Sequence, residues 1–228
     1  MKVTAAAALF AGLAAAGPVE LTTRQSCPKV YIFGARETTL PQSNGFGTGA
    51  GLVNSVKSAY AGSGAEAIVY PACGGQSNCG GISYENSASQ GTAAVVKAVT
   101  AYNQKCPDTQ IVLIGYSQGG QIMDNALCGG AGATLTGAAL AAVKAAIFMG
   151  DPHNRNGLPY NVGTCKAQGF AARPAGFTCA PASSSIIQSY CDAADPYCCT
   201  GNDTNAHQQY VNKYGTQALA FIKSKITA

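Results

Sequence analysis

Ile111-Val112-Leu113-Ile114-Gly115-Tyr116-Ser117-Gln118-Gly119-Gly120 is the stretch whose reading decides the fold. Four apolar residues in a row, with no polar alternation, suit a strand buried on both faces. A Gly-x-Ser-x-Gly pentapeptide follows at once, and residues 121–128 then read as a helix. Strand, sharp turn and helix are the setting in which this pentapeptide forms a nucleophile elbow and lifts a serine hydroxyl clear of the sheet. A Cβ at Gly115 or Gly119 would crowd the neighbouring backbone, and Gly120 adds another small residue where the helix begins. Without that setting, Ser117 would merely cap a helix.

Outward from this stretch, strands and helices alternate. Residues 30–33 (Val-Tyr-Ile-Phe), 65–70, 111–114, 145–149 and, more weakly, 184–189 read as strands. Residues 52–60, 85–104, 121–128, 138–143 and 207–225 read as helices; Ala93, Val96, Val99 and Tyr102 have helical spacing. Such alternation predicts an α/β fold, a parallel sheet with helices on both faces. Its ligands should bind beyond the carboxyl ends of the strands, where Ser117 stands.

The first residues predict export. Lys2 is a positive n-region, residues 3–14 an apolar h-region, and Ala14-Ala15-Ala16 a small-residue cleavage site. The expected organisation is a signal peptide at 1–16, a short propeptide at 17–24 and one domain over 25–228. No later run offers about 18 uninterrupted apolar residues, so no membrane anchor is expected. Ten cysteines, all beyond the signal, predict a full set of disulfides in an oxidising compartment. The cysteines lack C-x-x-C spacing and only two histidines are present, which argues against a metal site. Loss of Lys2, Glu20 and Arg24 leaves 12 basic and 9 acidic residues, a net charge of +3 with no basic stripe, so nucleic acid is not an expected partner. Asn202-Asp203-Thr204 is an N-glycosylation sequon, and a monomer is expected.

A serine needs a base, and the choice lies between His153 and His207. In sheets with this elbow the chain order is Ser, Asp or Glu, then His, which favours His207 because it leaves room for the acid before it. His153 would need Asp124, on the elbow helix, or Asp151, only two residues away. For the acid, Asp151, Asp192, Asp195 and Asp203 compete. Spacing favours Asp195, because a bridge between Cys191 and Cys198 together with Pro196 would hold its loop; Asp151, at a strand end, remains a competitor. An oxyanion hole should use the backbone N–H of Gln118 and a donor from the loop after the first strand, with Thr38 favoured.

Several segments together carry a resemblance. They are Cys27-Pro28, Phe33-Gly34-Ala35-Arg36-Glu37-Thr38-Thr39, Tyr70-Pro71-Ala72-Cys73-Gly74-Gly75-Gln76-Ser77, the elbow, Gly150-Asp151-Pro152, Cys191-Asp192-Ala193-Ala194-Asp195-Pro196-Tyr197-Cys198-Cys199 and His207. With these the chain resembles the cutinase-like serine esterases, carbohydrate esterase family 5, and within them the secreted fungal acetylxylan esterases. The resemblance implies a five-stranded parallel sheet in a three-layer α/β/α sandwich. It implies Ser117, Asp195 and His207 as the triad, with Thr38 and Gln118 at the oxyanion positions. It implies bridges Cys27–Cys106, Cys191–Cys198 and Cys73–Cys79, leaving Cys128, Cys165, Cys179 and Cys199 to pair among themselves. It implies neither cofactor nor metal. The expected substrate is acetylated xylan or its oligosaccharides, with cutin or short-chain lipid esters as the alternative. Tyr197, where cutinases carry a smaller aliphatic residue, is expected to close the acyl site beyond acetyl. The loop 201–206 is mostly polar, which weighs against an apolar rim, and the absence of tryptophan predicts weak polysaccharide binding.

Overall fold

The computed structural model describes Met1 and residues 26–228. The signal and propeptide segments expected at 1–16 and 17–24 lie, apart from Met1, outside the described residues. Six parallel strands form one sheet in the order β2-β1-β3-β4-β6-β5. They are β1 (Val30–Ala35), β2 (Gly64–Ala67), β3 (Gln110–Tyr116), β4 (Val143–Met149), β5 (Asn161–Val162) and β6 (Ile187–Tyr190). The helices are α1 (Ala50–Ala59), α2 (Tyr84–Lys105), α3 (Gln118–Cys128), α4 (Gly137–Ala142) and α5 (Tyr210–Lys225).

Alternation along the strands separates two cores. Phe33, Ile111, Leu113, Ala146 and Phe148 pack with α2, α3 and α4 on one face. Ile32, Val112, Ile114, Ala145 and Ile147 pack with α1 and α5 on the other. The result is a three-layer α/β/α sandwich. Residues 111–114 are all buried to 1% exposure or less, so β3 is covered on both faces. Full burial of each such side chain stabilises by roughly 1.5–3 kcal/mol.

Several elements differ from the sequence reading. The sheet has six strands, not five; the sixth is β5, two residues that pair with Ser189 and Tyr190 of β6. A pair that short has no period to detect, and only its neighbour defines it. The strand expected over 65–70 ends at Ala67, and Val69 is 72% exposed. Residues 184–186 form a 3₁₀ turn capped by the Ser183 hydroxyl, which accepts the Ser185 N–H, so β6 begins only at Ile187. His207 lies on a separate 3₁₀ turn before α5.

The strand order explains where a ligand fits. The chain goes from β1 out to β2, then returns to β3 on the other side of β1. The direction of winding therefore reverses between β1 and β3, and a crevice opens beyond their carboxyl ends. Thr38 follows β1 and Ser117 follows β3 there.

Five disulfides join Cys27–Cys106, Cys73–Cys79, Cys128–Cys179, Cys165–Cys199 and Cys191–Cys198. Cys27–Cys106 ties the residues before β1 to the end of α2 across a separation of 79. Cys27→Ser/Cys106→Ser is expected to lose about 2–4 kcal/mol of unfolding free energy, read from the guanidinium midpoint. An unchanged midpoint would mean that packing alone anchors this edge.

Candidate active site

The elbow is built by backbone contact. Ser117 has φ 53° and ψ −121°, a left-handed conformation rare for a residue with a side chain. Its N–H donates to Met149 O at 2.8 Å and its carbonyl accepts the Gln121 N–H at 3.1 Å, so sheet and helix both hold it. A Cβ on Gly115 would lie 2.3 Å from Gly119 O, and one on Gly119 would lie 2.2 Å from Ala35 O. These glycines are needed for close approach: α3 leaves β3 with its backbone against the end of β1. Ser117 stays near the surface of the crevice, 8% exposed.

Ser117 and His207 line one cavity of about 370 Å³, together with Thr38, Tyr197 and Phe170. The His207 Nδ1–H donates to Asp195 Oδ2 at 2.6 Å. Asp195 is fully buried and satisfied by three further donors. These are the N–H groups of Tyr197 (2.6 Å) and Cys198 (3.1 Å) on Oδ1, and the Tyr210 hydroxyl (2.8 Å) on Oδ2. Burial by itself raises this carboxyl's pKa. The hydrogen bond and charge of His207, the Tyr197 N–H and the Tyr210 hydroxyl outweigh burial and hold it below the ordinary carboxylate range. The imidazole is caged by the rings of Tyr197 at 4.5 Å, Tyr116 at 5.9 Å and Tyr210 at 6.3 Å. Tyr116 also donates its hydroxyl to His207 O at 2.6 Å. Gly150 (φ 65°) makes room for the ring, since a Cβ there would lie 2.7 Å from His207 Cε1.

The competing residues are occupied elsewhere. His153 has Nδ1 2.5 Å from Ala171 O and Nε2 2.8 Å from Asn125 Oδ1, which ties a loop to α3 away from the cavity. Asp151 Oδ1 accepts the His153 N–H at 2.8 Å, and burial with nearby Asp124 pushes its carboxyl well up. Asp124 pairs with Arg173 at 2.7 Å in the interior. Asp192 accepts from Lys213, Tyr214 and Thr164, on the α5 side. Asp203 lies in the exposed loop and accepts the Asn205 N–H at 2.9 Å.

Two loops frame the opposite wall. The Gln118 side chain is committed to the fold: its Nε2 donates to Cys73 O at 2.9 Å and its Oε1 accepts the Ser87 hydroxyl at 2.9 Å. Its backbone N–H, at the first position of α3, has no carbonyl a turn earlier in the helix to bond. Thr38 follows Arg36, a cation 2% exposed that has four acceptors and no carboxylate partner among them. Its donors reach Leu40 O (2.8 Å), Gln42 Oε1 (2.7 Å), Tyr70 O (2.7 Å) and Pro71 O (3.2 Å). Glu37 accepts the Thr48 N–H and hydroxyl. Thr38 is thus carried on a turn pinned on both sides.

Sequence reasoning missed Tyr210 as a partner of Asp195, Gly150 as the space for the imidazole, and the aromatic residues Tyr84 and Phe170 at the cavity. Tyr210 read only as one helical residue, and Phe170 is a lone aromatic in a loop. The expected polar rim at 201–206 does not line the cavity; Phe170, 59% exposed, and Tyr197, 40% exposed, do.

A family model described as cutinase matches residues 26–226. Cutinase 11 of Verticillium dahliae is 60% identical over 231 residues, covering 97% of this chain and 77% of the relative. Acetylxylan esterase 2 of Talaromyces purpureogenus is 56% identical over 231 residues, covering 97% of each. The catalytic core domain of acetyl xylan esterase from Trichoderma reesei superposes with a TM-score of 0.83 at 61% identity, covering 88% of this chain and 100% of that one.

The depressed carboxyl of Asp195 links the site to stability. Its contribution is complete above the ordinary carboxylate range and is lost as pH falls through the lower folded-state pKa. Tyr210→Phe removes one donor and raises that pKa toward the unfolded value, so the acid-dependent loss should be smaller and complete at a higher pH. Urea unfolding in steps from about pH 7 to about pH 3 measures this. An acid limb superposable on wild type would mean that the hydroxyl does not hold the carboxyl down.

Proposed function

This chain belongs to the cutinase family, and from that premise we propose that it is a secreted serine esterase removing acetyl groups from acetylated xylan or its oligosaccharides. The observation that carries the reading is the buried Asp195–His207 pair opening onto the cavity where Ser117 sits on its elbow. Asp195 fixes the imidazole with Nδ1 protonated, so Nε2 is the nitrogen left to take the Ser117 proton. Ser117 Oγ attacks the acetyl carbonyl, and the charge that develops on its oxygen is met by the Gln118 N–H and by Thr38. One such donor is worth about 2.7–4 kcal/mol in the barrier. The imidazolium gives its proton to the departing sugar hydroxyl. Water, deprotonated by His207, then attacks the acetyl-enzyme and releases acetate and Ser117. No step calls for a metal or cofactor.

Tyr197 supports the short acyl range. Its ring lies 4.5 Å from the His207 ring at the cavity wall, and its backbone N–H bonds Asp195, so the ring stands over the reacting centre. Export follows from the leader read at 1–16, and among the described residues no helix is long and apolar enough to cross a membrane. Asn202 is exposed and accessible to a glycan, and a monomer is the expected working form. The second reading is a cutinase or short-chain lipid esterase using the same residues. Exposed Phe170 and Tyr197 at the cavity favour it.

An acyl-chain series on the protein lacking 1–24 separates the two readings. Hydrolysis should fall at least about tenfold from acetyl to hexanoyl esters. Ser117→Ala should abolish it by at least about 10³-fold, and Asp195→Asn should lower kcat by about 10⁴-fold. Tyr197→Ala should flatten the series by admitting longer chains. A wild-type profile that is level or rises with length supports the lipid-ester reading and removes the deacetylase one.

A further inference from the structure

We infer that Phe170 is the platform on which the sugar ring of the leaving alcohol lies. This rests on the ester reading above and deepens it by assigning the alcohol side of the cavity. Among the described residues, Val69, Phe170 and Tyr197 are the large exposed apolar side chains besides Met1, and two of the three line the Ser117 cavity. Exposed apolar surface concentrated at one site marks a place that is covered when a ligand binds.

The two rings divide the cavity. Tyr197 stands against the imidazole, beside the reacting serine. Phe170 lines the same cavity with its ring against Tyr84 rather than against the imidazole, and its N–H donates to Tyr197 O at 3.1 Å. Its ring is backed edge-on by Tyr84 at 5.2 Å and 70°, and the Tyr84 hydroxyl donates to Gln121 Oε1 on α3 at 2.7 Å. Gly169 fits against Pro152, where a Cβ would lie 2.2 Å from the carbonyl oxygen, so this loop has no slack. A flat face is therefore presented by a fixed scaffold, which lowers the cost of ordering it on binding.

The remaining lining decides which ligand face it meets. Gln76, Gln208 and Thr39 share the cavity; the Gln76 Oε1 accepts the Gly74 N–H and the Gln208 Oε1 the Thr48 hydroxyl, so these residues offer amide N–H donors and a hydroxyl. A pyranose has a C–H face for an aromatic ring and a rim of hydroxyls for such groups. A fatty chain would cover those amides without pairing them, which is unfavourable. The chain has no tryptophan, so this stacking falls to phenylalanine or tyrosine.

The test compares acetylated xylo-oligosaccharides with ethyl acetate, whose alcohol has no ring, on wild type, Phe170→Ala, Phe170→Leu and Phe170→Tyr. Phe170 is largely exposed, and thermal unfolding checks that each variant is folded. Phe170→Ala and Phe170→Leu should lose roughly tenfold in kcat/KM on the oligosaccharide, mainly through KM, and keep ethyl acetate within about twofold. Phe170→Tyr should keep both. Equal losses on both substrates, or none on either, would overturn the platform. Wild type that hydrolyses ethyl acetate and leaves the oligosaccharide untouched removes the xylan reading and this assignment with it. An active wild type with an unaffected Phe170→Ala removes the platform alone.

Discussion

Everything around the site depends on one close approach, the backbone of the elbow against the end of β1. A Gly119 Cβ would lie 2.2 Å from Ala35 O, and a Gly115 Cβ would meet the first turn of α3. Only hydrogen at both positions lets α3 start directly under the crevice between β1 and β3. That contact holds Ser117 at φ 53° and leaves the first N–H groups of α3 without a carbonyl a turn earlier in the helix. The conformation costs on the order of 1–3 kcal/mol at Ser117, and the buried strands on either side supply the packing that offsets it.

Polar burial in this protein follows two patterns. Around Asp195 a carboxylate is stabilised by four donors, of which His207 is one, and the disulfide Cys191–Cys198 closes the loop that aims two of the others. Around Arg36 a cation is stabilised by carbonyl and amide oxygens, without an opposing charge among its bonded partners. Both are fully buried, where a missing partner would be expensive. Arg173 and Asp124 form the third buried centre, with Arg173 also donating to Gly129 O at 2.6 Å and lying 4.3 Å from the Phe177 ring. Arg36 joins residues 36–42 to the Tyr70–Pro71 segment, Asp195 joins its loop to His207 and to Tyr210 of α5, and Arg173 joins its loop to α3.

The aromatic residues divide between the interior and the cavity wall. Tyr116 and Tyr210 are buried and fix the imidazole, whereas Tyr197 and Phe170 are exposed and shape the ground around it. Their loops are joined by the Phe170–Tyr197 backbone bond, so the two exposed rings share a common frame. Polar groups among these rings set orientation, in the usual division of labour of a small-molecule pocket.

The sequence by itself determined the layered α/β plan and the place of Ser117. Both are local: an uninterrupted apolar strand, a turn that tolerates only glycine, and helical periodicity are each written within about ten residues. Five strands were legible for the same reason, and β5 was not, because two residues carry no period. The candidate partners of Ser117 were legible as a ranked choice, chain order favouring His207 and loop spacing favouring Asp195 over Asp151, with the resemblance implying both, but spacing does not show what surrounds a carboxylate. Asp151 and Asp195 differ in the tertiary structure: one accepts the His153 N–H where burial pushes it up, the other has four donors that hold it down. Tyr210, Gly150, Tyr84 and Phe170 entered the site the same way. They are brought to it by α5, the end of β4, α2 and a loop far apart in the chain, and only the folded sheet sets the distances among them.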